Sequence, residues 1–168
     1  MPPDSFAAEL SKRLALLDWQ NGSQRRIAAF YPIFEAKIDQ LIRRFYDHLL
    51  GRPDISAILK QNDITGRIIP AQRAHWLRLF RCEFSQEYVV QARAIGQAHY
   101  RHQIPVYAYI YGYNYMLTLV LELASQNVRN TDLAPLLADI SRVVCLDMEL
   151  ALAAYVREHW TDTNRVAI

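Results

Sequence analysis

Helix-breaking residues are so sparse in this chain that its long uninterrupted segments have to share one regular conformation. Its 168 residues include 5 glycines and 7 prolines. Between them apolar side chains recur at steps of three and four, the repeat of one face of an α-helix. The chain therefore reads as all-α. Asp4 or Ser5 would cap a first helix carrying Phe6, Leu10, Leu14 and Leu17, broken near Trp19 and the turn-like Gln20-Asn21-Gly22-Ser23. A long helix comes next, with Ile38, Leu41, Ile42, Phe45 and Leu49 on one stripe and Tyr46 beside it, and Gly51 and Pro53 supply its stop.

A third region, from about Thr65 to Phe84, places Ile68, Ile69, Gln72, Trp76, Leu79 and Phe80 at helical spacing. Pro70 is tolerated only in a first turn, so that helix should begin near Gly66. Another runs from Gln86 to His102, and Pro105 fits the first turn of the next. There Tyr107, Tyr109, Tyr111, Tyr113 and Tyr115 alternate at the period of a strand. A strand is rejected, because no other segment offers it a partner and its ladder groups would go unpaired. As a helix the run has two occupied faces. The last helix, roughly Asp132 to Trp160, carries Leu133, Leu137, Ile140, Val144, Met148 and Ala151, widened by Leu136, Val143, Leu146 and Leu150. So broad an apolar surface predicts that this helix, with the tyrosine helix, meets another chain.

Composition removes several classes of function. A length of 168 residues suits one domain, and 52% hydrophobic content excludes a disordered, collagen-like or low-complexity chain. The 19 Lys+Arg against 17 Asp+Glu leave +2, with no basic block longer than Arg25-Arg26 and Arg43-Arg44, so nucleic acid is not expected as a partner. No stretch reaches the length of a membrane span, and Met1-Pro2-Pro3-Asp4-Ser5 lacks the features of a signal peptide, so no membrane association and a cytoplasmic location are expected. Cys82 and Cys145 sit among apolar neighbours and read as buried free thiols. The five histidines, at 48, 75, 99, 102 and 159, form no zinc set, and GxSxG, P-loop and GxGxxG motifs are absent.

One combination goes further. Leu41-Ile42-Arg43-Arg44-Phe45-Tyr46-Asp47-His48-Leu49, then Trp76, then Ile95-Gly96-Gln97-Ala98-His99 leading to Ile104-Pro105, resembles a globin-coupled sensor domain over nearly the whole chain. The resemblance implies a globin-like fold, with residues 1–18 as an extra N-terminal helix, residues 22–161 as the globin core, and the last two helices forming a four-helix bundle across a homodimer. It implies that His99 is the proximal ligand of a non-covalently held haem b, the iron protoporphyrin. The haem ring supplies four nitrogens, so one imidazole leaves one open face, and the absence of Cys-x-x-Cys-His disfavours covalent attachment. It also implies that Tyr46 is the distal donor to bound O2, since a phenol in an apolar pocket favours the charged oxygen of that complex over CO. CO and NO are further gases such a site takes. Ile69 matches the apolar distal position, and Phe45, Trp76, Ile104 and Tyr109 are candidates for haem packing.

Each assignment has a plainer counterpart. His99 alone reads as a core histidine, Tyr46 as a core tyrosine beside Phe45, and the remaining candidates as helix-to-helix core. After His99 the family's Ile-Gly is replaced by His102-Gln103, which removes the residue that takes left-handed backbone angles freely and adds a rival ligand, His102. No role is assigned to His48, His75 or His159. The expected function is an O2-sensing domain of a bacterial signalling protein, not itself an enzyme, passing a shift of its last two helices to an output module, with diguanylate cyclase the choice on family grounds. The sequence ends at Asn164-Arg165-Val166-Ala167-Ile168 with no such module, so a piece of a longer protein or a stand-alone sensor is expected. The alternative is a haem-free globin-like interaction module of a stress-signalling complex; a haem peroxidase or nitric-oxide dioxygenase ranks last.

Overall fold

A computed structural model describes residues 3–60 and 64–166, and among the described residues every regular element is helical. The α-helices are α1 (Pro3–Leu16), α2 (Asn21–Leu50), α3 (Pro53–Lys60), α4 (Ile69–Arg81), α5 (Gln86–Arg101), α6 (Val106–Asn127) and α7 (Leu133–Val166). A π-helical turn, Ile64–Ile68, runs into α4, and a 3-10 turn, Asn130–Asp132, precedes α7. None of the helices is long and apolar enough to cross a membrane. The side chains of Phe6 and His159 lie outside the described residues.

The spine of the core is α2, which buries Ile27, Phe30, Phe34, Ile38, Ile42, Phe45 and Tyr46 along one helical stripe. Phe34 stacks on Phe80 of α4 with ring centroids 4.1 Å apart, and Phe30 leans on both. Each such buried ring contributes about 1.5–3 kcal/mol. α7 lies against α2, α4, α5 and α6. Its Asp139, fully buried, receives Arg26 of α2 at 2.6 Å and Arg142 at 3.1 Å. Desolvation works against that carboxylate, but hydrogen bonds from Arg26 and Ser23 prevail and hold its pKa below the usual value. α5 approaches α7 at Gly96, where a Cβ would fall on the carbonyl of Ala151. α1 and the turn after it rest on this body through Leu10, Leu14 and Leu17 and through Arg13 Nε, 3.0 Å from Glu149 of α7.

The tyrosine run is helical, as its lack of a strand partner requires. Four details differ from the sequence expectation. α1 starts at Pro3, placing Asp4 and Ser5 inside it. α2 stops at Leu50 as expected, but Pro53 also opens a further helix, α3, whose first turn has no use for its missing N–H. α4 begins at Ile69, not at Gly66, because the preceding turn is π-helical. Finally, Cys82 is buried but Cys145 is exposed, since its position on α7 is rotated away from the stripe of Val144 and Ala151. Burial pushes the Cys82 thiol up to about 12.

Candidate functional site

A cavity of about 790 Å³ opens among α2, α3, α4, α5 and α6, within the size range of small-molecule and cofactor sites. Each element contributes one face. From α2 come Phe45, Tyr46 and Leu49; from α3 Ile55, Ile58 and Leu59; from α4 and the turn before it Arg67, Ile68, Ala71, Gln72, His75 and Trp76. Ile95, Ala98, His99, Arg101 and His102 come from α5 and its end, and Ile104, Ala108, Tyr109, Gly112, Tyr113 and Met116 from the turn and α6. Among the described residues no acidic side chain lines it.

His99 is the best-prepared ligand in this wall. Its Nδ1 lies 2.8 Å from the carbonyl of Ile95, and a carbonyl only accepts, so Nδ1 carries the proton and Nε2 keeps its lone pair. Desolvation lowers its pKa, the Ile95 carbonyl opposes that, and His102 adds to the lowering. The imidazole is held neutral, in one tautomer, with its ring edge-on to Tyr109 at 4.7 Å between centroids. That is how proteins prepare a histidine for a metal, with the second nitrogen anchored to a backbone oxygen. His102, the rival in sequence, is exposed at the end of α5.

The turn after His99 keeps its left-handed residue although glycine is missing. Gln103 adopts φ of 55°, its N–H bonds the Tyr100 carbonyl at 2.9 Å, and Ile104 N–H bonds the His99 carbonyl at 3.0 Å. From α7 the Tyr155 hydroxyl donates to the Ile104 carbonyl at 2.6 Å, so the last helix pins the turn.

On α2 Tyr46 is buried and set edge-on to Phe45, with ring centroids 5.2 Å apart. Burial raises its pKa, so the hydroxyl remains a proton donor. Gln72 Oε1 and the Tyr109 hydroxyl add polarity, buried with no partner within hydrogen-bond geometry among the described residues, the Tyr109 hydroxyl standing near that of Tyr113. Native interiors rarely leave such groups unpaired unless a ligand or water completes them.

Of the residues singled out from sequence, Phe45, Tyr46, Trp76, His99, Ile104 and Tyr109 all line this one cavity. Ile69 does not. It is half-buried against the core, and its neighbour Ile68 takes the lining position. The reason is local: successive helical residues point about 100° apart, and a π-helical turn resets the register of the helix it leads into.

Sequence reasoning gave His75 no role, but the structure places it in the cavity wall with Nε2 2.7 Å from Oδ2 of Asp147. Asp147 of α7 is fully buried, and it also accepts hydrogen bonds from Tyr88 of α5 and, at 2.8 Å, from Tyr113 of α6. Desolvation and the Asp147 charge raise both phenols, which remain donors. Only Gln72 left a trace in the sequence, as one polar residue inside the apolar stripe of α4.

A family described as Protoglobin matches residues 6–161. Among characterised proteins, the heme-based aerotactic transducer HemAT of Halobacterium salinarum is 31% identical over 93 residues, covering 55% of this chain and 19% of that protein. The chain thus matches about a fifth of that relative's length. Among solved structures, the globin domain of the Geobacter sulfurreducens globin-coupled sensor superposes with a TM-score of 0.80 at 18% identity, covering 86% of this chain and 96% of that one. The fold is therefore the globin fold of that neighbour.

Proposed function

This chain belongs to the protoglobin family, and from that premise we propose that it is a haem-based gas-sensing globin domain. The observation that carries the reading is His99. It is a neutral imidazole, its Nδ1–H fixed to Ile95 and its Nε2 unencumbered, in the wall of an otherwise largely apolar cavity of cofactor size. The residues fit haem. The cavity offers aromatic and aliphatic faces from Phe45, Trp76, Ile104 and Tyr109, one nitrogen donor placed by the backbone, and buried polar atoms without partners on Gln72 and Tyr109. When bound, haem would supply an iron able to take a diatomic gas.

The chain's own residues do the rest. His99, anchored through Nδ1, would hold the iron-bearing ring through Nε2. Tyr46 keeps its proton and offers it to a polarised diatomic, which favours O2 over CO. The wall of Ile55, Ile58, Leu59 and Ile68 limits water, and with it loss of the reduced state. Non-covalent b-type haem is inferred from the lack of a Cys-x-x-Cys-His sequence. A homodimer built on α6 and α7 is supported by exposed Tyr107 and Tyr111 on α6 and Val156 on α7, and by Leu133 and Leu137, which this chain leaves only half-buried. The output, proposed as a diguanylate cyclase in a cytoplasmic signalling protein, rests on the family resemblance alone, and within it this domain acts as sensor, not as enzyme.

The test is an absorption spectrum of the purified protein supplied with haem, taken before and after dithionite and then air, for the wild type and for His99→Ala. A Soret band that moves on reduction and again on exposure to O2, and that His99→Ala loses, is expected. A helical protein that stays colourless would refute the reading and leave a haem-free interaction module in its place.

A further inference from the structure

Three phenols line the cavity, those of Tyr46, Tyr109 and Tyr113, and they differ in where their protons can go. Burial alone acts on Tyr46. The Tyr109 hydroxyl is buried with no partner in hydrogen-bond geometry among the described residues. Tyr113 is different: its hydroxyl donates to Oδ2 of Asp147 at 2.8 Å. That carboxylate is fully buried, and among the described residues no Lys or Arg pairs with it. It is held in place by two further donors, the Tyr88 hydroxyl and His75 Nε2, the latter at 2.7 Å. A phenol that loses an electron becomes a strong acid, and a low-dielectric interior does not tolerate the charge left behind, so electron and proton must leave together. That requires a base already in hydrogen-bond contact, and Tyr113 is the cavity phenol that has one.

The electron has a route as well. The Tyr113 ring lies 5.0 Å from that of Tyr109 and 6.0 Å from that of Trp76, centroid to centroid, and both of these rings face the cavity. We propose that Tyr113 is a redox-active tyrosine, which gives one electron to an oxidised aromatic macrocycle in the cavity and passes its proton to Asp147. The step balances: a ring short of one electron regains it, the Tyr113 phenol becomes a neutral phenoxyl radical, and Asp147 becomes a neutral carboxylic acid that donates back to the phenoxyl oxygen while still accepting from His75. The oxidant that first takes the electron from the ring is a peroxide. The inference rests on the haem reading above and gives the domain a second function, discharge of an oxidising equivalent that would otherwise be spent on the ring or the cavity wall.

The test loads the protein with zinc protoporphyrin, whose light-excited ring gives one electron to an added cobalt(III) ammine and is left oxidised. Recovery of the ring is followed by transient absorption and the product by electron paramagnetic resonance, in the wild type, Tyr113→Phe and Asp147→Asn. The Soret band of the bound ring controls for the fold of each. The wild-type ring should recover rapidly, more slowly in D2O, and leave a tyrosyl signal. Tyr113→Phe should lose that signal and keep its ring oxidised. Asp147→Asn retains the phenol and a hydrogen-bond acceptor but no base, and should behave the same way. Fluorotyrosine placed at position 113 alone, close to native in size, should add fluorine splitting to the signal even if the other variants fail to fold. Fast recovery with an unchanged signal in either variant, a signal without fluorine splitting, or a tryptophan signal in place of a tyrosyl one would overturn the assignment while the haem reading stands. If the wild type gives a Soret band with neither haem nor zinc protoporphyrin, both fall together.

Discussion

Replacing Gly96 by alanine sets two opposed effects against each other, and the structure decides between them. In an exposed helix the change would stabilise by about 1 kcal/mol, because alanine is the better helix former. In α5 the new methyl would fall on the Ala151 carbonyl oxygen of α7 and stand 2.7 Å from the carbonyl carbon, inside the 3.0 Å that real Cβ contacts respect. Both partners are backbone, so no rotamer change relieves the clash, and the helices must part by about 1 Å. Overpacking of that kind costs typically 1–3 kcal/mol, and this one sits at the upper end because it strains two helices at once. The expected net loss is about 2 kcal/mol, or a fall in Tm of about 4–8 °C for a domain of this size. His99 lies three residues on, in the same helix, so haem retention should weaken in parallel. Thermal unfolding by circular dichroism measures the first effect, and haem transfer to apomyoglobin the second. A variant as stable as the wild type, or more so, would refute the close approach of α5 and α7 and the placement of His99 that depends on it.

Gln103→Gly should stabilise the protein by about 0.5–1 kcal/mol in urea unfolding, because the left-handed φ of 55° costs a side-chain-bearing residue more than glycine's added chain entropy offsets. Asp147→Ala strands His75, Tyr88 and Tyr113 without their acceptor and should cost about 3–5 kcal/mol by the same measurement, with Asp147→Asn costing less because one carbonyl oxygen remains. Tyr46→Phe should speed O2 dissociation about tenfold in stopped-flow measurements while changing CO release much less, as loss of a hydrogen bond worth about 1.4 kcal/mol requires; an unchanged O2 rate would assign the donor to another residue of the wall.

Much of the scaffold was legible because its signals are local. Gly51, Pro105 and the apolar periods of α2, α5 and α7 report helix ends and faces within a few residues. The tyrosine run needed one non-local fact, the lack of any partner strand. Pro53 shows the limit of such signals, since a proline that stops one helix is equally suited to start the next, and α3 went unseen. Ile69 shows another, because a π-helical turn shifts the facing of α4 by about one residue and apolar periodicity does not reveal it. The site divides in the same way. His99 stood out through its motif, but His75 acquires meaning only from Asp147, 72 positions away, and nothing near either residue announces the pairing.

The element that joins these observations is α7. Through the carboxylate of Asp147 it holds one side chain from each of α4, α5 and α6, and two of those three, His75 and Tyr113, also line the cavity. Through Tyr155 it holds the turn after His99. α7 is thus tied by buried and part-buried hydrogen bonds to both a wall of the cavity and the end of the helix that carries its best ligand. A displacement of α5 relative to α4 cannot leave all four bonds intact, because one carboxylate and one rigid helix serve them together. In the gas-sensing reading this is the physical coupling needed. In that reading a cofactor that moved α5 against α4 would strain these bonds, and the same helix carries the partly exposed apolar residues Leu133, Leu137 and Val156.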